Sequence, residues 1–181
     1  MSRIRWVPMV VSLSLTLSLL FGGWELYRNF GLVAPLEEQL QANAAVTDVQ
    51  TVVSGQVREV QIGLKKVQDL QTTYEGLAAT VHEAMGDAVA IDVTDNRKQD
   101  QNLQDVYRSI QPTLYEGISK GEFPEMIAKV EANTKAAGVD GQISMNDKYV
   151  FVQLEKGDHY LYEILPYNSV TGDPLKGVSA L

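Results

Sequence analysis

Residues 46–64 read VTDVQTVVSGQVREVQIGL, and this stretch decides the fold. Apolar or β-branched residues occupy every second position from 49 to 53 and again from 60 to 64. The turn-forming pair Ser54-Gly55 lies between the two runs. A period of two residues on both sides of a turn signal predicts a β-hairpin with one face exposed to water.

A helix and a third strand are predicted after the hairpin. Asp69 is a suitable N-cap, and apolar residues at 70, 74, 77, 81 and 85 share one helical face. Gly86 ends the helix, and residues 87–94 alternate as a strand does. Residues 46–94 therefore predict a ββαβ unit in which the helix crosses over between strands. This order of elements resembles that of small modules that build rings in bacterial secretion and sporulation channels, with no shared motif.

Two helical segments and a meander are predicted downstream of the polar residues 95–100. The first helix carries apolar residues from Leu103 to Ile118, and Pro112 predicts either a kink or two abutting helices. The second begins at Phe123 and ends near Gly138. Residues 142–165 then read QISMNDKYVFVQLEKGDHYLYEIL, which predicts three antiparallel strands separated by turns. The fold class is therefore α+β.

The N-terminal run predicts a membrane anchor. Residues 6–27 read WVPMVVSLSLTLSLLFGGWELY, and no charged residue occurs between Trp6 and Trp24. A helix of this length covers a hydrocarbon core of about 30 Å. A cleaved signal peptide and a buried soluble helix are the alternatives. The run is longer than a signal peptide requires. The nearest possible cleavage site, after Leu32-Val33-Ala34, is followed by Pro35, a residue that disfavours cleavage.

The residues that flank the run predict its orientation. Arg3 and Arg5 precede it, so the positive-inside rule keeps the N-terminus in the cytoplasm and exports the rest. Trp6 at one end and Trp24 and Tyr27 at the other suit the two membrane interfaces. We therefore expect a cytoplasmic tip and transmembrane anchor at 1–30, an extracytoplasmic domain at 31–167, and a flexible tail at 168–181.

Charge and composition exclude several classes of function. The chain has a net charge of −8, and from Gly31 onward it holds 12 basic and 22 acidic residues, a net charge of −10. Such a domain lacks the basic footprint that binding to nucleic acid needs. There is no cysteine, so disulfides and thiol catalysis are absent. Together with the exported domain, this favours a bacterial envelope protein.

Candidate catalytic and metal-binding residues are few. His82 and His159 are isolated, without the spacing of a zinc site, and surface or turn roles are expected for both. Asp92, Asp95, Asn96 and Asp100 form the densest group of oxygen ligands, after the end of a strand. Calcium loops need more oxygens and a glycine. We therefore expect a turn followed by helix capping from the nearby Asp100, with no metal and no cofactor.

Aromatic residues concentrate in the predicted meander, at Tyr149, Phe151, Tyr160 and Tyr162. Tyr160 and Tyr162 share one face of their strand. Two interpretations remain open. The four side chains form core and cross-strand contacts, or they form an outward face that binds a protein partner.

These patterns favour a non-enzymatic function. The first expectation is a single-pass protein bound to lipid through its N-terminal helix, whose exported domain docks on another envelope protein or on itself. The alternative is an extracytoplasmic sensor of a small ligand or metal. A third, a hydrolase, requires His82 or His159 to meet an acid and a hydroxyl group.

Overall fold

The computed structural model describes residues 6–28, 33–54, 57–87, 89–95 and 100–167. In these residues the chain is an α+β protein with five helices and two three-stranded sheets. The elements in chain order are α1 (Trp6–Arg28), α2 (Ala34–Gln41), β1 (Val46–Ser54), β2 (Val57–Leu64), α3 (Leu70–Met85), β3 (Ala90–Asp95), α4 (Gln101–Lys120), α5 (Phe123–Ala136), β4 (Asp140–Met145), β5 (Tyr149–Lys156) and β6 (His159–Pro166).

Helix α1 covers the apolar N-terminal run. Its described side chains, from Val10 to Gly23, are all exposed. The Thr16 hydroxyl donates to the Ser12 carbonyl oxygen at 2.9 Å, so it finds a partner within the helix. Within the described part of the chain, no helix has both the length and the apolar character of a membrane span.

Several residues of the predicted anchor cannot be placed. Arg3 and Arg5 lie outside the described residues, as does the tail at 168–181. Trp6, Trp24 and Tyr27 belong to α1, but their side chains are not among those described. Their predicted positions at the membrane interfaces therefore stay a prediction.

The first sheet has the strand order β1-β2-β3. β1 and β2 pair antiparallel, with Val49 opposite Ile62, so the predicted hairpin is confirmed. β2 and β3 pair in parallel, with Ile62 opposite Val93. Parallel neighbours need a crossover connection, and α3 provides it as the sequence predicted.

The ends of α3 follow from its capping residues. The Asp69 carboxylate accepts a hydrogen bond from the Thr72 backbone N–H at 2.7 Å. The helix ends before Gly86, whose φ of 82° lies in the left-handed region that glycine adopts without strain. β3 begins at Ala90 rather than at the predicted Asp87, because Asp87 is still in the bend that follows this glycine.

Helix α4 is continuous from Gln101 to Lys120 with Pro112 inside it. Of the two predicted outcomes, a single helix and not two abutting helices is therefore observed. Proline leaves the carbonyl group of the residue four positions earlier without its helical partner. That residue is Arg108, which is exposed, so water can bind its carbonyl oxygen.

The second sheet is the predicted antiparallel meander, in the order β4-β5-β6. It is the middle layer of the fold, since each of its faces contributes to a different apolar core. Val152, Leu154 and Leu161 pack with α4 and α5. Phe151 and Tyr160 point the other way, toward α2, α3 and the first sheet.

The close approach of α4 and α5 gives a test of this packing. A methyl group on Gly117 would overlap the side chain of Met126. A methyl group on Gly76 in α3 would meet no atom within 4 Å. We expect Gly117→Ala to lower the free energy of unfolding by about 1–3 kcal/mol through overpacking. The matched Gly76→Ala should raise it by about 0.5–1 kcal/mol through helix propensity. Urea denaturation followed by circular dichroism measures both, and effects of the same sign would contradict the described helix pair.

Candidate functional site

The two sheets meet where β3 packs beside β6. No strand pairing joins the two sheets within the described residues. Three carboxyl groups lie at this contact: Asp92 and Asp95 on β3, and Glu163 on β6, which interacts electrostatically with both. We call these three residues the acidic seam.

Burial controls the charge of the acidic seam. Burial, with the added repulsion of Asp92 and Asp95, raises the pKa of Glu163 to about 7. Burial also raises the pKa of Asp95 to about 6. The Oδ1 atom of Asp95 is buried and has no hydrogen-bond partner within the described part of the chain. Glu163 and Asp95 therefore exchange protons closer to neutral pH than ordinary carboxyl groups do.

The predicted oxygen-ligand group is only partly assembled. Asp92 lies opposite Gln61 and Asp95 opposite Leu64, so the two aspartates point to opposite faces of the first sheet. Burial and the nearby Glu59 raise the pKa of Asp92, while a bond from the Val93 backbone N–H opposes this rise.

Metal binding finds no support in the described residues. No group of three or more His, Cys, Asp or Glu residues there could hold a metal ion. Asn96 lies outside the described residues. Asp100 takes the predicted capping role, since its carboxylate accepts a hydrogen bond from the Asn102 backbone N–H at 2.9 Å.

Sequence reasoning missed Glu163. Alternation alone predicts an ordinary polar position of the strand, although Glu163 is the only acidic residue within HYLYEILP. Its register partner is Val152, a residue of the core under α4 and α5. An acid on the apolar face of a strand was the signal, because a carboxylate is costly to bury without a partner.

The two histidines lie apart in the fold. His82 is half-buried near the end of α3, with its Nδ1 atom 3.8 Å from Oδ1 of Asp87. His159 is exposed at the start of β6, opposite Lys156. His82 is thus at a helix end and His159 at the exposed first position of a strand.

The meander aromatics pack inside the domain. Phe151, Tyr160 and Tyr162 are 1%, 4% and 5% exposed, and Tyr149 is half-buried. Tyr74 of α3 contacts the Tyr149 and Phe151 rings at centroid distances of 5.6 and 5.5 Å. These side chains therefore make core contacts, which is the first of the two interpretations that the sequence left open. They do not form the alternative outward face, because α3 and the first sheet cover them.

Polar atoms on the same face of the meander hold the connection between β2 and α3. The buried Gln153 side chain accepts a hydrogen bond from the Leu70 backbone N–H at 3.0 Å and donates to the Val67 carbonyl oxygen at 2.9 Å. The Tyr160 hydroxyl donates to the Leu64 carbonyl oxygen at 2.9 Å. The Tyr162 hydroxyl accepts from the Val67 N–H at 2.8 Å. We call Gln153, Tyr160 and Tyr162 the polar clamp.

A cavity of about 410 Å³ opens beside the polar clamp. Nζ of Lys66 lies 2.7 Å from a carboxylate oxygen of Glu155 at this cavity. Charged and amide groups of this kind can orient a small polar molecule. The cavity is lined by Lys66, Val67, Gln68, Asp140, Gln142, Gln153 and Glu155.

The acidic seam predicts a distinctive pH dependence of stability. Because the pKa of Glu163 is raised in the folded state, that state binds more protons than the unfolded state between about pH 4 and about pH 7. The free energy of unfolding should therefore fall as pH rises through this window. Glu163→Gln, which removes the ionisation, should match the wild type at about pH 4 and exceed it by about 1–2 kcal/mol at about pH 8.

Urea denaturation across this pH range measures the effect. Glu131→Gln, the same change at an exposed position of α5, is the matched control and should leave the pH profile unaltered. A Glu163→Gln profile that parallels the wild type would contradict a carboxyl group titrating near neutrality at the seam.

The sequence matches no protein-family model, and it matches no curated protein. The function must therefore be argued from the residues themselves.

Proposed function

We propose that this chain is a single-pass membrane protein whose extracytoplasmic domain binds another envelope protein or a second copy of itself, without catalysis. The observation that carries the anchor is the exposure of apolar side chains around α1, between 50% and 70% each. Exposed apolar area of this extent needs a cover of lipid or protein. The large apolar side chains concerned are Val10, Val11, Leu13, Leu15, Leu17, Leu19, Leu20 and Phe21.

The two apolar cores support the same division of the chain. Neither described core cluster includes a residue of α1. The domain that begins at α2 therefore buries its own sheets and helices without help from the described side chains of α1, at 10–23. At 23 residues and about 1.5 Å per residue, α1 is about 34 Å long, close to the thickness of a bilayer core.

Charge supports the orientation. Arg3 and Arg5 stand at the N-terminal end, whereas the chain from Gly31 onward carries −10. Lys and Arg next to a span favour the cytoplasmic side, so the acidic domain would lie outside the cytoplasm.

The chemistry that the fold assembles favours binding over catalysis. The predicted hydrolase would need His82 or His159 to stand beside an acid and a hydroxyl group. His82 lies in α3, which is not a strand of the acidic seam. His159 is the first residue of β6. Recognition of a partner needs only complementary surface, which this domain offers along its sheets.

The cavity at Lys66 favours one second candidate, a sensor of a small polar ligand. A ligand that binds only the folded state raises its stability in proportion to RT ln(1 + [L]/Kd). Ligand-induced shifts in melting temperature that disappear in Gln142→Ala would support the sensor.

The anchor has a direct test in native membranes. The wild-type chain should stay in the pellet after alkaline carbonate extraction. The double variant Leu15→Arg, Leu17→Arg should be released, because each charge costs about 2.5–3.5 kcal/mol at the centre of a span. Tyr115→Arg is the matched control, since Tyr115 on α4 is exposed to the same 50% as Leu17. Release of the wild-type chain would contradict the anchor.

Crosslinking of the same membranes tests the binding function. We expect a discrete crosslinked product that contains this chain with another envelope protein or with itself. Full-length chain that is folded and membrane-bound, yet gives no such product, would contradict the proposal.

A further inference from the structure

β1 has one edge that no other described strand pairs with. It stands first in the strand order β1-β2-β3, and with nine residues it is longer than any other described strand. In an antiparallel pair, every second residue directs its backbone N–H and C=O groups away from the partner strand. β1 therefore presents a row of backbone donors and acceptors along its free side.

This edge lacks most of the features by which proteins block unwanted strand pairing. Exposed edges are usually short, or carry proline, lysine or inward charges. β1 reads VTDVQTVVS, in which six of nine residues are β-branched and only Asp48 is charged. Its one irregularity is a bulge between Val46 and Asp48, so residues 48–54 remain regular. Such a strand is well suited to accept another strand.

The other edges are less open. β3 packs beside β6, which places the inner edges of the two sheets against each other. β4 has only six residues and lies against α5, whereas α2 meets β1 through Leu36 and Leu40 in the core under its inner face. β1 is therefore the edge where strand addition would meet the least obstruction within the described part of the fold.

The two faces of the sheet at this edge differ in character. Val49 and Thr51 are on the inner face, where Val49 packs with Leu36 and Leu40 of α2. Asp48, Gln50 and Val52 are on the outer face, where Gln50 is exposed and Val52 is 46% exposed. The register places Glu59 and Asp92 on that same outer face. Among its described residues the outer face thus holds three carboxyl groups and no basic side chain.

We propose that the free edge of β1 binds an extended segment of a partner protein that carries Lys or Arg at alternate positions and β-branched apolar residues between them. This inference rests on the proposed binding function and names the partner's chemistry. The segment would form a fourth strand of the first sheet. Its basic side chains would lie beside Asp48, with Glu59 one strand further into the sheet, and its apolar side chains would continue the inner core next to Val49.

Charge decides between this partner and a second copy of the chain. Antiparallel pairing of two β1 strands would bring together two domains that each carry −10 from Gly31 onward. Like charges across an interface oppose association, whereas a basic strand is attracted at long range and held in register. Backbone hydrogen bonds supply affinity for either strand, and the carboxyl groups select the basic one.

A defined peptide tests the proposal with the full chain in nanodiscs of zwitterionic lipid. The probe is a capped, fluorescein-labelled peptide of alternating Lys and Val, matched to the nine residues of β1. Fluorescence anisotropy should show saturable binding that weakens with salt. Asp48→Asn with Glu59→Gln should weaken binding about tenfold. The control pair Asp105→Asn with Glu131→Gln, on α4 and α5, removes the same charge and should change binding by less than about twofold.

A second variant reverses the charge at the edge. Gln50→Lys places a cation on the exposed outer face. It should weaken binding of the Lys–Val peptide and allow binding of an otherwise identical Glu–Val peptide. Hydrogen exchange of the wild-type complex should show new protection in the 48–54 segment. A peptide in which Pro replaces Val should not bind, because it cannot form a strand ladder.

The outcomes separate this inference from the proposed function. Absence of peptide binding, equal weakening by both charge pairs, or protection confined to other strands would overturn the edge site. A partner crosslinked in membranes through a surface away from β1 would also overturn it, while leaving the binding function intact.

Discussion

The fold depends on one buried amide. Gln153 sits in the middle of β5, in the central layer of the protein, and is only 5% exposed. Its side chain binds both the N–H of Leu70 and the C=O of Val67, the residues that connect β2 to α3. A buried polar group costs about 1–3 kcal/mol if it is left without a partner. The amide therefore stabilises the fold only while the first sheet and the meander are docked as observed.

Docking by the polar clamp has consequences at both ends of the first sheet. On one side it brings β3 against β6, which buries Glu163 and Asp95 and makes the acidic seam sensitive to pH. On the other side it leaves β1 as the outer edge of the first sheet. A domain docked in this way keeps one long strand edge unpaired among its described residues.

Local patterns in the sequence predicted most elements, because each element has its own period and its own end signals. The hairpin at 46–64, the helix after Asp69 and the meander follow from alternation, capping and turns. Contacts between elements could not be predicted in this way. Nothing local indicates that Glu163 comes close to the aspartates of β3, and Gln153 has the pattern of an ordinary polar residue in an alternating strand. The continuity of α4 through Pro112 likewise depends on the position of Arg108, which is exposed in the fold and which no sequence pattern places there.

The central claim is that Gln153 holds the two sheets together as one unit. The most direct measurement compares Gln153→Leu with Gln142→Leu, its exposed register partner on β4, by urea denaturation with amide hydrogen exchange. We predict that Gln153→Leu lowers the free energy of unfolding by about 2–3 kcal/mol and deprotects the Leu70 amide. Gln142→Leu should change it by less than about 0.5 kcal/mol. Equal effects of the two variants, or a Leu70 amide as protected in Gln153→Leu as in the wild type, would contradict the account.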